Sequence, residues 1–246
     1  MAGDMPRTAD RIDAVMVFAA GLGTRMRPLT LTLPKPLVEV GGKALIDHML
    51  DRFAEIGVAK AVVNVHWLAD RVEAHVRARK APRVVMSDER ALLLDQGGGI
   101  VKALPELGEA FYICNTDAAR IEGARPALAG LAAAWDPAKM DILLLVATGA
   151  TSVGVDWPGD FHMDAGGRLT KRGESEAADF VYAGVGIMKA SLFAGETRAA
   201  FRLAPHFFDA AAKGRLYGHR LDGVWLHVGT PEAIGEADAA FSRAQG

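Results

Sequence analysis

The apolar run Ala14-Val15-Met16-Val17-Phe18-Ala19-Ala20, cut off by Gly21-Leu22-Gly23-Thr24-Arg25, constrains the fold more than any other stretch of this chain. About seven β-friendly residues stopped by glycines read as a buried strand feeding a tight loop. The pattern then alternates. Leu45, Ile46, Met49, Leu50, Phe53 and Ile56 fall at helical spacing before Gly57, and Ala61–Val65 reads as the next strand. Ala69–Arg79 is helical, Arg83–Met86 a short strand, and Gln96-Gly97-Gly98-Gly99 a glycine loop before a helix over Ile100–Leu104. Ala110–Cys114 is a strand ending at Asn115-Thr116-Asp117, Arg125–Trp135 a helix, and Asp141–Ala147 a strand. Strands regularly separated by helices imply an α/β fold, a mostly parallel mixed sheet with helices on both faces. Beyond Ser152 the segments shorten: a strand over Val181–Met188, a helix over Phe201–Lys213, and a strand at Gly223–Gly229. Thr230-Pro231-Glu232 then opens a last helix, with Thr as N-cap and Pro at the first position.

The 246 residues permit one large domain or two small ones, and neither linker, repeat nor low-complexity tract divides them. We expect a flexible N-terminal tail over 1–12 and a single domain over 13–246. The apolar fraction of 50% argues against a disordered chain. A net charge of −2 leaves no basic field for nucleic acid, and no apolar run reaches the ~18 residues that would span a membrane. The one cysteine, Cys114, cannot form an internal disulfide, which fits a cytoplasmic location. Glycine stands out: 27 residues, above the average share of ~7%, clustered in short loops.

The first of these loops carries the chemistry. Glycines after a first strand let backbone N–H groups approach an anion closely. Met26 stands where a dinucleotide fingerprint needs its third glycine, and Lys43 after Gly41-Gly42 lacks the remaining residues of a Walker A loop. The loop is distinguished by two cations: Arg25, a fork for phosphate oxygens, and Lys35, a compact charge between two prolines. Taken alone it is equally a glycine turn with two solvated cations. Asp117, a hard oxygen ligand at a strand end, suits Mg²⁺, but spacing alone favours a turn-forming Asp there.

The full string from Gly21 to Thr30, followed by Pro34-Lys35-Pro36-Leu37, resembles that of the sugar-1-phosphate nucleotidyltransferases. Leu94–Ile100, Asn115-Thr116-Asp117, Gly159–Asp164, Tyr182–Ile187 and Trp225–Glu232 extend the resemblance from about Ala14 to Ala240. The resemblance implies a Rossmann-like fold and a metal-dependent transfer of a nucleotidyl group from a nucleoside triphosphate to a sugar 1-phosphate, with release of pyrophosphate. Within the family, the short length and the segments Gly-Asp-Phe, Tyr-Ala-Gly and Val-Gly-Thr-Pro-Glu are most similar to N-acetylmuramate-1-phosphate uridylyltransferases of cell-wall recycling, which use UTP. Mannose-1-phosphate guanylyltransferases are next. By the same resemblance, Ala20, Gly21, Gly23, Thr24, Arg25, Lys35, Gln96 and Gly98 bind the nucleotide. Arg25 steadies the leaving pyrophosphate, Lys35 reaches the α-phosphate, and Asp117 binds Mg²⁺, with Mn²⁺ as an alternative. Asn115, Gly159 and Glu174 face the sugar.

The sequence departs from the family at His227, where many members carry a second metal-binding Asp. His227 therefore binds the metal, holds a metal-bound water, or has left the metal. That substitution also leaves open a catalytically silent nucleotide-sugar binding protein, although a pure binder has no need of a cation at the α-phosphate.

Overall fold

The structure, a computed structural model, describes residues 11–174 and 176–245. In chain order its elements are β1 (Ala14–Phe18), β2 (Glu39–Val40), β3 (Lys43–Ala44), α1 (Leu45–Glu55), β4 (Lys60–Val65), α2 (Ala69–Val76), β5 (Arg83–Asp88), α3 (Asp95–Leu107), β6 (Ala110–Asn115), β7 (Ala118–Glu122), α4 (Ala127–Ala134), β8 (Ile142–Thr148), β9 (Ser152–Val153), β10 (Phe161–Met163), β11 (Leu169–Lys171), β12 (Phe180–Lys189), α5 (Ala204–Ala212), β13 (Leu216–Arg220), β14 (Gly223–His227) and α6 (Pro231–Gln245).

Near-continuous apolar strands demand cover on both faces, and the pleat divides their side chains between two layers. Val15 and Val17 of β1, with Tyr112 and Cys114 of β6, pack with α1, α2 and α4. Met16, Phe111 and Ile113 face the other way, onto α3 and α5. Phe53 of α1 is fully buried against Tyr112, their rings 5.3 Å apart. Such a side chain contributes roughly 1.5–3 kcal/mol by its burial.

Among the described residues the main sheet has nine strands. Strands β6, β1, β4 and β5 lie side by side and parallel. Strand β12 runs antiparallel between β6 and β8, β13 pairs parallel beyond β8, and the β10–β11 hairpin joins beside the start of β12. This is the mixed α/β sheet expected from the alternation. A second sheet, β7-β14-β9, carries α6, and Thr230 Oγ1 accepts from Ala233 N at 3.4 Å as the expected cap.

The chain leaves β1 toward β4 on one side, while β6 fills the other side. The carboxyl ends of β1 and β6 therefore frame a topological switch point, where open α/β sheets leave a crevice.

Several expectations shift. Gly97, Gly98 and Gly99 form the first turn of α3 rather than a loop, because nothing larger fits beneath it. A Cβ on Gly97 would stand 2.2 Å from the Phe201 ring, and one on Gly98 2.1 Å from the Ala199 carbonyl oxygen. Gly166 and Gly167 turn the β10–β11 hairpin, and Gly167 packs against Gly218 and Tyr217 away from the crevice. Helix α5 begins at Ala204, so Phe201 and Arg202 belong to the segment before it. Strands β7 and β13 had no separate signal. Of the expected tail, residues 1–10 lie outside the described residues. Arg11 pairs with Asp13 and donates to the Gly57 carbonyl, and Ile12 packs on the core, so these last two residues are docked.

Candidate active site

A cavity of about 730 Å³ opens at the switch point. The β1 end and its glycine loop form one wall, Asn115-Thr116-Asp117 after β6 the second, and Asp95-Gln96 with Phe201-Arg202 the third. Gly23 has φ 61°, and a Cβ there would press within 2.9 Å of Thr30 Cγ2. Thr30 Oγ1 in turn donates to the Gly23 carbonyl at 2.8 Å, which locks the loop with Thr24 and Arg25 on its exposed side.

Lys35 Nζ bonds Asp117 Oδ2 at 2.8 Å, and both side chains are largely buried, 15% and 17% exposed. Burial opposes ionisation of Asp117, but Lys35 and His227 outweigh it and hold the carboxyl below its ordinary range. Pairing of β14 with β7 sets His227 opposite Ala118, next to Asp117, and Val228 N donates to the Asp117 carbonyl at 3.1 Å.

The His227 ring stands against Trp157 and Trp225, each 5.3 Å away centroid to centroid. Burial pushes its pKa down. Asp117 opposes that shift, and Lys35 and Arg25 reinforce it, so the imidazole stays neutral. Gly229 has no room for a side chain: a Cβ would lie 2.7 Å from His227 Nε2 and 3.3 Å from Arg25 Nη1.

His227 Nδ1 is buried without a hydrogen-bond partner and lies 4.0 Å from Asp117 Oδ2. In the tautomer that leaves Nδ1 unprotonated, a neutral imidazole beside an ionised carboxylate is a donor pair that fits a divalent cation. Among the described residues no cluster of three or more His, Cys, Asp or Glu side chains forms a complete metal cage. Such a pair suits an ion that keeps waters and substrate phosphates as its other ligands.

Behind the cavity lies a polar network without a sequence signal. Asn64 Oδ1 accepts from Ala19 N at 2.7 Å and Ala20 N at 3.2 Å, while its Nδ2 donates to Glu89 Oε1 at 2.8 Å. Glu89, 2% exposed, also accepts from Leu94 N at 3.1 Å. Burial pushes its pKa up, against the bonds from Asn64 and Leu94. The network ties the end of β1 to the start of α3. A lone Asn in a strand and a Glu after the next one give no periodic cue, which is why both were missed.

A second cavity, about 300 Å³, adjoins the first. Gln96 and Asn115 line both, joined by a bond from Gln96 Nε2 to Asn115 Oδ1 of 2.9 Å. Gly159, Asp160, Lys171, Arg172, Tyr182 and Phe207 form most of its wall.

The structure thus brings Ala20, Gly21, Gly23, Thr24, Arg25, Lys35, Gln96, Asn115 and Asp117 to one cleft, with Gly159 in the adjoining cavity. The Ala20 N–H is already taken by Asn64. Gly98 packs beneath the cleft wall, against Ala199, rather than lining it. Glu174 is exposed and lines neither cavity; its carbonyl accepts from Arg172.

The MobA-like NTP transferase domain family matches residues 15–206 of this chain. The chain is 49% identical over 234 residues to N-acetylmuramate alpha-1-phosphate uridylyltransferase of Caulobacter vibrioides, covering 93% of this chain and 97% of that protein. The protein of the same name from Neisseria meningitidis serogroup B is 33% identical over 230 residues, 91% of this chain and 96% of that one. Mannose-1-phosphate guanyltransferase beta-B of Xenopus laevis matches over 107 residues only, at 32% identity, covering 42% of this chain and 30% of that protein. Among solved structures, the inositol-1-phosphate CTP transferase from T. maritima superposes with a TM-score of 0.75 over 95% of this chain and 96% of that one, at 17% identity. That likeness shows the fold.

Proposed function

Because this chain belongs to the MobA-like NTP transferase family, we propose that it transfers a uridylyl group from UTP to N-acetylmuramate 1-phosphate, giving UDP-N-acetylmuramate and pyrophosphate. The observation that carries this reading is the match to uridylyltransferases of that name over more than nine-tenths of each chain, supported by the cleft that gathers this chain's own Arg25, Lys35 and Asp117. A guanylyltransferase acting on mannose 1-phosphate has weaker support, since relatives of that name match less than half of the chain. A silent binding protein would have no use for a largely buried Lys–Asp pair in the wall of the larger cavity.

In this reading the larger cavity takes UTP. Thr24, Arg25 and the backbone of Gly21 and Gly23 face its phosphates, with Gln96 toward the base. The smaller cavity takes the sugar, with Asn115 between the two and Gly159 on the far wall. A phosphate oxygen of the sugar 1-phosphate attacks the α-phosphorus, and the bond from that phosphorus to the oxygen bridging to the β-phosphorus breaks. The electron pair leaves with pyrophosphate.

Both reactants are anions, so catalysis is charge neutralisation and in-line positioning. Lys35 turns from Asp117 to the α-phosphate, and Arg25 steadies the departing pyrophosphate. Asp117 and His227 hold the divalent ion, Mg²⁺ or Mn²⁺, which when bound neutralises phosphate charge. No general base is needed, because a sugar phosphate is ionised at neutral pH.

Residues 13–246 serve as one catalytic domain in this proposal. Its support is a main sheet that draws strands from Ala14 through Arg220. The reaction belongs in the cytoplasm, where UTP is held; among the described residues no helix is long and apolar enough to cross a membrane. The test is pyrophosphate release across a panel of nucleoside triphosphates and sugar 1-phosphates. Fastest release with UTP and N-acetylmuramate 1-phosphate is expected, and a preference for GTP with mannose 1-phosphate would refute the assignment.

A further inference from the structure

The smaller cavity holds more positive charge than a neutral sugar calls for. Phe161, Phe207 and Phe208 make its apolar surface, while Lys171 and Arg172 bring two cations against the single carboxylate of Asp160. Asp160 is already engaged: Oδ1 accepts from Trp157 Nε1 at 3.1 Å and Oδ2 from Tyr182 N at 2.9 Å.

Lys171 Nζ stands 4.4 Å from the centroid of the Phe208 ring, which holds the ammonium against the cavity wall. Arg172 is fixed through Nε and Nη1 by the carbonyls of Gly159, Gly173, Glu174 and Glu176. Neither cation has a carboxylate within ion-pair distance among the described residues. Lys171 is exposed and Arg172 half-buried; the half-buried cations Arg79, Lys60 and Lys189, by contrast, are closely paired, with Asp47 and Asp51, Glu106, and Asp141 respectively. Two oriented cations without a carboxylate partner, one set over the Phe208 ring and the other tied down by backbone carbonyls, give the cavity a net positive wall that an anionic group can meet.

We propose that Lys171 and Arg172 read a carboxylate carried by the sugar itself, so that this cavity selects an acidic sugar 1-phosphate over its neutral counterpart. The proposal rests on the uridylyl-transfer reading above. N-acetylmuramate carries such a group, a lactyl ether on the ring, and N-acetylglucosamine is the same ring without it.

The experiment compares kcat/KM for the 1-phosphates of these two sugars, each with UTP. The proteins are wild type, Lys171→Gln, Lys171→Glu and a control, Lys139→Gln, whose side chain is 70% exposed and pairs with Asp136. Lys171 is exposed, so its variants are expected to keep the fold, whereas Arg172 also tethers its loop; the Lys171 series therefore carries the test.

Wild type is expected to favour the acidic sugar. The preference should fall roughly tenfold in Lys171→Gln, through KM more than kcat, and further in Lys171→Glu, with the control as wild type. An unchanged preference in the folded Lys171 variants, in an enzyme that releases pyrophosphate from UTP, would overturn this inference alone. No pyrophosphate from UTP with either sugar would overturn the transfer assignment and this inference with it.

Discussion

Lys35 Nζ and Asp117 Oδ2 are 2.8 Å apart, so the two charges with most to do in the cleft hold each other before any ligand arrives. Lys35 helps to hold the Asp117 carboxyl below its ordinary range in a largely buried place, and in the proposed reaction the pair opens for phosphate to reach Lys35 and a cation to reach Asp117. Lys35→Ala is expected to lower kcat by roughly 10²–10³, the scale of losing one charge-stabilising donor. Its melting temperature should move by only a few degrees, about 1 kcal/mol for a domain of this size, because Lys35 adds little to the apolar core. Turnover assays beside thermal denaturation check both; a large loss of fold with a small loss of rate would remove Lys35 from the chemistry.

In the proposed metal site His227 would supply nitrogen where the resemblance implies a carboxylate oxygen, and nitrogen favours Mn²⁺ more than Mg²⁺. Wild type is therefore expected to work at least as well with Mn²⁺ as with Mg²⁺. In His227→Asp the balance should swing toward Mg²⁺, and in His227→Ala the apparent affinity for both ions should fall. Titration of activity with each ion measures this, and an unchanged metal dependence in His227→Ala would place the ring outside the metal's reach.

The Asn64–Glu89 network predicts a pH signature in stability. Burial raises the folded-state pKa of Glu89 above its ordinary value of 4.5. A group raised in this way contributes fully below its unfolded pKa, and the contribution is lost as pH rises through the folded value. Relative to Glu89→Gln, the wild-type protein should thus lose unfolding free energy as pH climbs from about 4.5 through the raised value. Chemical denaturation at stepped pH reads the difference. Asn64→Ala strips the acceptor from two buried N–H groups and the donor from Glu89, and should cost ~2–4 kcal/mol at any pH in that range.

Gly97→Ala sets a methyl group 2.2 Å from the Phe201 ring, which also borders the larger cavity. The substitution should improve local helix propensity by up to about 1 kcal/mol and still destabilise the protein, because overpacking dominates. The double variant Gly97→Ala, Phe201→Leu should regain part of the loss. Denaturation of the two single variants and the double variant gives the coupling directly.

The alternation of strand and helix was legible because each element has one or two apolar faces, and faces leave a period in the sequence. The glycine loop, Arg25, Lys35 and Asp117 were legible because they are contiguous or follow a strand directly. The start of α3 was misread: three glycines argue against a helix on propensity, and only Phe201 and Ala199, about a hundred residues later, show why no side chain fits there. Strand β7, Ala-Ala-Arg-Ile-Glu, is short and has a single β-branched residue, so nothing in it marks a strand after Thr116-Asp117. Asn64, Glu89 and Lys171 meet partners far off in the chain, and no local pattern names such partners.

The two ends of the cleft are made of different material. Around the larger cavity, Gly23, Gly97 and Gly229 each sit where an added methyl group would strike a neighbour, so that end is shaped by main chain and by side chains that are missing. Around the smaller cavity the wall is made of projecting groups such as Lys171, Tyr182 and Phe207. A single base change can exchange a projecting group and leave the main chain in place, whereas re-forming the glycine end needs concerted changes. With the substrates placed as proposed, the choice of sugar is thus the property a protein built this way can alter step by step, while its nucleotide end stays fixed.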